Sequence, residues 1–202
     1  MEKKLTREEK ATQTRARLLK CAEELFIDRG FVKTTISQII KRAGLGYGTA
    51  YVYFKNKDEL FVELLDELMG QFYDVAERSF VPKSVTEAAE CIKEQVGMFL
   101  TLAQKEHQLM RVLKEARGAS IVIDQRWSEI REQFIHRISV DISYAQSNGL
   151  ASRHLDPELI ARGWFYANEM FMWECVTGEC RYSIAQLREQ LTDIYMNGLY
   201  IK

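Results

Sequence analysis

Apolar residues recur along this chain three to four positions apart, in one stripe after another, which is the period of a helix with one buried face. Leu18, Leu19, Ala22, Leu25 and Phe26 predict a first helix from about Thr12 to Arg29, stopped at Gly30. Ile36, Ile39, Ile40 and Ala43 predict a second. It opens with Thr35-Ile-Ser-Gln38, a capping box in which the threonine oxygen accepts an early backbone N–H while the glutamine reaches back. Gly44 closes it in the left-handed conformation that glycine tolerates. Gly48-Thr-Ala-Tyr51-Val-Tyr53-Phe54 reads as a third helix, too short to stand alone. Ala50 and Phe54, four apart, face inward, which leaves Tyr47, Thr49, Tyr51 and Tyr53 to point outward.

A long fourth helix follows Asn56-Lys-Asp-Glu59, with Leu60, Phe61, Leu64, Leu65, Leu68, Phe72, Val75 and Ala76 on one stripe until Pro82. Ser84-Val-Thr-Glu87 is a second capping box and starts a fifth. A shorter segment around Leu109 to Leu113 ends near Gly118, and a long helix from about Asp124 to Asn148 stops at Gly149. Asp156-Pro157 supplies a cap and a proline at the first helical position. The stretch beyond it, GWFYANEMFMWECV, is apolar nearly all round and must be covered on more than one side. A last helix opens at Ser183, with Gln186 as capping partner, and carries Ile184, Leu187, Leu191, Ile194, Tyr195, Gly198 and Leu199. The expected fold is all-α. An N-terminal three-helix helix-turn-helix domain over residues 1–57 precedes a C-terminal helical domain over residues 58–202, with the fourth helix as a rod carrying motion from one to the other.

Charge divides along the same line. Residues 1–57 hold 13 Lys/Arg against 6 Asp/Glu, a net of +7, and residues 58–202 hold 15 against 23, a net of −8. A basic head on an acidic body suits a nucleic-acid contact confined to one end. Lys3, Lys4, Arg7 and Lys10 read either as a basic arm along a phosphate backbone or as a solvated tail. With 47% apolar residues and two prolines, the chain suits a packed helical protein rather than a disordered one. No run of eighteen apolar residues occurs, and the charged start MEKKLTREEK lacks an apolar core, so neither a membrane span nor a secretory leader is expected. Cys21, Cys91, Cys175 and Cys180 form no CxxC pair and sit in apolar helical patterns. Reduced structural thiols in a cytoplasm are the expectation, with a redox-sensing Cys175/Cys180 pair as the alternative. His107, His136 and His154 are scattered, and neither a metal nor a cofactor is expected.

The spaced residues TT-x3-I-x3-AG-x3-G-T-x-Y-x-YF-x-NK-x-x-L, from Thr34 to Leu60, resemble the DNA-binding domain of the TetR family of transcriptional regulators, a likeness covering residues 12 to about 60. The resemblance implies that Thr35 donates to phosphate, that Tyr47, Gly48, Thr49 and Tyr51 lie in or beside the major groove, and that Tyr53 and Lys57 meet phosphate. Two positions depart from the family pattern. Gly46 stands where serine is usual and removes a side-chain cap, a cost of a few tenths of a kcal/mol. Tyr47 stands where a basic or amide residue is frequent, and tyrosine cannot make their bidentate contacts to base edges. Base readout is therefore expected to lean on van der Waals contact and DNA shape.

The same resemblance implies a homodimer joined by the last two helices of each copy, reading a palindromic operator, and released from it by a small apolar or amphipathic effector. Gly163, Ala167, Phe171, Leu187, Leu191, Ile194 and Gly198 are the expected seam. Phe72, Met98, Phe99, Leu102, Met110, Trp127, Phe134, Tyr166, Met170 and Trp173 are candidate effector contacts, although at helical spacing they read equally as core. His107, Glu169 or Arg131 is the candidate to orient a polar group. Two other classes compete: a DNA-binding regulator switched by a protein partner, and an all-helical enzyme, against which stands the lack of any nucleophile–base constellation.

Overall fold

The structure, a computed structural model, describes residues 6–199; Lys3, Lys4 and the Leu199 side chain lie outside what is described. Those residues form helices α1 (Arg7–Arg29), α2 (Ile36–Arg42), α3 (Tyr47–Ala50), α4 (Lys57–Ala76), α5 (Val85–Lys105), α6 (His107–Ala119), α7 (Ile121–Ser147), α8 (Pro157–Thr177) and α9 (Ile184–Leu199). They gather into two compact units. Among the described residues, the first holds the chain up to Leu68 together with Arg111–Trp127, and the second holds Met69–Met110 together with the chain from Ser128.

The expected boundary after residue 57 coincides with the start of α4, whereas the compact units divide inside that helix. Phe61, on its second turn, belongs to the first core, where it meets Phe26 and Phe31 at ring-centroid distances of 5.3 and 5.4 Å. Ser120 Oγ donates to Asp58 at 2.9 Å and Arg126 to Asp66 at 2.8 Å, which ties the 111–127 stretch to the start of α4. Such contacts between distant stretches leave no trace in periodicity.

Helix α1 begins five residues before the expected Thr12. Thr6 Oγ1 accepts the Glu9 N–H at 3.2 Å and Glu9 returns the bond to the Thr6 N–H at 2.7 Å, a complete capping box. The first turns carry no apolar stripe, which is why the 3.6-residue period missed them, but Thr6-Arg-Glu-Glu9 was legible as a helix start. Arg7 and Lys10 are therefore helical. Thr35 and Gln38 form the predicted box on α2, and Gly44 has the expected positive φ of 63°.

In the second unit α5 packs against α8 and α9. Ser84 caps α5 by accepting the Glu87 N–H at 3.1 Å, and Glu87 reaches one residue further back than expected, to the Lys83 N–H at 2.8 Å. Asp156 caps α8 and Ser183 with Gln186 caps α9, both as expected. Helix α8 buries Ala161, Phe165, Asn168, Met172 and Val176 on one face. Its opposite face shows Leu159, Gly163, Tyr166 and Met170, with Leu159 68% exposed and Met170 52%. Leu187 and Leu191 of α9 are buried within the protomer, while Ile194 is 72% exposed.

Candidate functional site

The helix-turn-helix of α2 and α3 is preceded by one turn, residues 30–34, that is gripped from both sides. Lys57, at the first turn of α4, sends its ammonium to the carbonyls of Phe31 at 2.7 Å and Thr34 at 3.0 Å, and sits 4.1 Å from the Phe31 ring centroid. Glu115 of α6 accepts the N–H of Phe31 at 3.2 Å and of Val32 at 2.9 Å. Within the turn, buried Thr34 donates to the Gly30 carbonyl at 2.7 Å. An ammonium on the carbonyls and a carboxylate on the N–H groups complement the two polarities of one backbone segment. Burial pushes the Lys57 pKa below its usual value, with Asp58 and Glu115 opposing that shift. Lys57, expected to meet phosphate, thus directs its charge inward. Glu115 gave no sign of its role in the sequence, because its partners lie more than eighty residues away.

Helices α2 and α3 follow directly from that turn. Gly46 opens α3 with no side-chain cap, as its identity implied. Ala50 and Phe54 are buried, and the Arg15 guanidinium lies 5.3 Å from the Phe54 ring centroid, so the short helix is held from behind. Tyr47 and Tyr51 are 55% and 44% exposed and stack on each other at 6.4 Å with 25° between the rings. Gly48 and Thr49 are exposed beside them, as is Thr35. Tyr53 is half-buried and lines a groove with α1 residues and Leu64. Lys33, Lys41 and Lys55 are exposed around the same segment.

The second unit contains an apolar cavity of about 90 Å³. Of the candidate effector contacts, Phe72, Phe99 and Phe134 line it, and Phe72–Phe99 is an edge-on pair at 5.3 Å. The other candidate contacts lie elsewhere. Met98 and Leu102 line an open groove with α9; Met110 is fully buried; Trp127 is buried in the first unit under the Arg117 guanidinium. Tyr166 and Met170 occupy the exposed face of α8, and Trp173 donates its indole N–H to Glu169 at 3.2 Å. Spacing identified these residues as large and inward-capable without telling which face of α8 was inward. Arg131 and Glu169 pair at 2.9 Å, His107 bonds the Gln104 carbonyl at 3.0 Å, and none of the three lines the cavity.

The polar groups that do line it are Gln95, Arg137, Asp141 and Asn168. Arg137 donates to Asp141 Oδ1 at 2.6 Å and lies 3.6 Å from Glu77. Burial pushes the Asp141 carboxyl up to about 6, with Arg137 pulling it back down and Glu77 adding to the rise. Asn168 Nδ2 donates to the Trp164 carbonyl at 2.9 Å, while its Oδ1, sealed from solvent, has no partner. These residues left a signal. Asn168 interrupts the apolar series Ala161, Phe165, Met172, Val176, and Asp141 falls three residues after Ile138 on the stripe that begins at Phe134.

A helical chain with a helix-turn-helix head and a second helical unit containing an apolar cavity has the architecture of a DNA-binding transcriptional regulator. The family described as bacterial regulatory proteins, tetR family, matches residues 18–64, and that described as the C-terminal domain of the transcriptional regulator EthR matches residues 92–201. The chain belongs to the TetR family of transcriptional regulators. It is 24% identical over 186 residues to the fatty acid metabolism regulator protein of Bacillus subtilis, covering 92% of this chain and 95% of that one. EthR of Mycobacterium tuberculosis is also 24% identical over 186 residues, covering 91% of this chain and 85% of that one. Among solved structures, the fatty acid degradation regulator FadR of Bacillus halodurans superposes with a TM-score of 0.71 at 21% identity, covering 97% of this chain and 98% of that one. Among the described residues no helix is long and apolar enough to cross a membrane.

Proposed function

We propose that this chain is a repressor that binds a palindromic operator as a homodimer and is released by a small amphipathic effector held in the cavity of its second unit. The observation that carries the reading is the pairing of an exposed tyrosine-bearing α3 with an apolar cavity among the helices of the second unit. Thr35, Tyr47, Gly48, Thr49, Tyr51 and Tyr53 are the proposed DNA contacts, and their exposed or half-exposed positions support that role. With the Lys57 ammonium directed inward, Lys33, Lys41 and Lys55 are the better candidates to neutralise phosphate.

The proposed seam runs over the outward face of α8 and the end of α9: Leu159, Gly163, Tyr166, Ala167, Met170, Phe171, Ile194 and Gly198. A helix apolar on both faces leaves one face to a partner, and a two-fold pair of heads matches two half-sites about 34–36 Å apart. Leu187 and Leu191 serve the protomer core instead. The names of the Bacillus subtilis and Bacillus halodurans relatives support a regulator of lipid metabolism, so the effector is sought among molecules with one aliphatic chain.

The test is selection of bound DNA from a random duplex pool, followed by sedimentation of the complex. An enriched inverted repeat bound by an even number of copies is expected. Enrichment of a single asymmetric half-site by one copy would refute the dimeric reading.

A further inference from the structure

The outward side of α3 has an apex that the tyrosines only flank. Backbone bonds from the Tyr51 N–H to the Tyr47 carbonyl at 3.0 Å and from the Phe54 N–H to the Ala50 carbonyl at 3.2 Å carry the helical path past Ala50 to Phe54. Ala50 and Phe54 are buried, which fixes the inward side. Val52 lies two residues from each, and at roughly 100° per residue that puts it on the opposite side. Its side chain is 79% exposed, the highest value of any large apolar side chain among the described residues. Gly48, one turn earlier on the same side, leaves that face bare, and a Cβ there would meet nothing within 4 Å. Tyr47 and Tyr51 stack together on one flank.

We infer that Val52 is a specificity-determining residue that packs on the C5-methyl group of a thymine in the major groove. This rests on the DNA-reading role proposed above for α3 and names one base that it recognises. Valine has no donor or acceptor on its side chain, so it bonds neither a phosphate nor the polar edge of a base. Of the groups that base pairs expose in the major groove, the thymine methyl is the apolar one. The charge around this face suits a polyanion: residues 1–57 carry 13 Lys/Arg against 6 Asp/Glu, a net of +7, and Lys33, Lys41 and Lys55 are exposed. A protein partner would need a wider apolar surface than one valine beside a glycine, whereas a single methyl group on a groove floor does not. With Gly48 next to it, no side chain on that face holds the backbone away, so the valine can reach the base edge.

The experiment uses the duplex recovered by selection from a random pool, resynthesised with deoxyuridine in place of each thymidine in turn, which removes one methyl group and nothing else. Each duplex is titrated by fluorescence anisotropy against the full-length protein and against Val52→Ala. One thymine, repeated in each half-site, should show about fourfold weaker binding per methyl removed, the value of one buried carbon. Val52→Ala should bind the thymidine and deoxyuridine duplexes equally at that position and keep the parent's penalties elsewhere. Its salt dependence should match the parent's, because no phosphate contact is lost, whereas a disturbed head would lower it. Because the side chain is exposed, the circular dichroism of the variant should also match. A selected half-site without thymine, no deoxyuridine penalty at any position, or penalties identical in the two proteins overturns the inference. In all three cases DNA has been selected, so the DNA-reading role stands and only the assignment of Val52 falls. A pool that yields no enriched duplex ends that role and the inference together.

Discussion

Replacing Gly30 by alanine strikes the turn that orients α2, and the size of the effect can be worked out from two separate causes. Gly30 has φ 81° and ψ 166°, a region essentially restricted to glycine, and an L-residue there costs about 1–3 kcal/mol. The new Cβ would also lie 2.5 Å from Glu115 Oε2, so the carboxylate must withdraw. Withdrawal breaks its bonds to the Phe31 and Val32 N–H groups. Charged hydrogen bonds contribute about 1.5–3 kcal/mol each when buried, but the Val32 bond is exposed, so the pair is assigned about 2 kcal/mol together. Gly30→Ala should then destabilise by about 3–5 kcal/mol and Glu115→Ala by about 2. Because both changes lose the same two bonds, the double variant should be no worse than Gly30→Ala alone, a coupling of about 2 kcal/mol. Urea denaturation of all four proteins measures the cycle. Hydrogen exchange at residues 30–34 reports it locally, since the Phe31 and Val32 amides should lose protection in every variant. Losses that add to within about 0.5 kcal/mol would refute the shared clamp.

The remaining predictions concern separate parts of the chain. Lys57→Met should lower the melting temperature and leave the salt dependence of operator binding unchanged, whereas Lys55→Ala should reduce the slope of log affinity against log salt by about one; the reverse pattern would restore Lys57 to the phosphate. Tyr51→Phe should weaken operator binding by about 0.5–1.5 kcal/mol, the value of one hydrogen bond, and is checked by fluorescence anisotropy with the selected duplex. Asp141 prefers its proton in the folded state, so its contribution becomes less favourable as pH rises from its ordinary value through about 6. Asp141→Asn should therefore melt above the parent at about pH 7.5 and converge with it near pH 4; a gap that widens toward acid would contradict the raised pKa. Met170→Glu should yield monomers by sedimentation with unchanged helical circular dichroism, and a persistent dimer would move the seam elsewhere.

What the sequence disclosed follows from the range over which its signals act. Helix starts were legible because caps are local: Thr35 with Gln38, Asp156 before Pro157 and Ser183 with Gln186 each specify a terminus within four residues. Inward stripes were legible for the same reason. The faces of α8 were not, because Tyr166 and Met170 are as apolar as Phe165 and Met172, and only tertiary contact decides which pair is covered. The cavity's polar end was half-legible: Asn168 and Asp141 break apolar stripes, but their convergence on one site depends on how α7 and α8 pack. Glu115 on the Phe31 and Val32 amides was beyond reach, since a glutamate on a half-exposed helix looks like any solvated charge.

The inward turn of Lys57 also changes how DNA affinity and specificity divide between residues. The segment from Leu45 to Phe54 contains no charged side chain, and Tyr47 and Tyr51 present a stacked pair with a hydroxyl on each ring. If this segment reads DNA as proposed, electrostatic attraction to phosphate, which sets non-specific affinity and its salt dependence, would come from outside it, with the exposed Lys33, Lys41 and Lys55 as candidates. On that reading α3 would contribute through fit, hydrogen bonding and groove shape, terms that counterion release does not touch. Stacking restricts both tyrosine rings before DNA arrives, which lowers the entropy lost when they are ordered against the groove. On the proposed reading, the absence of the basic or amide residue at position 47 is a redistribution of roles: charge would hold the head to the duplex from the flanks, and an uncharged aromatic pair would discriminate among sites.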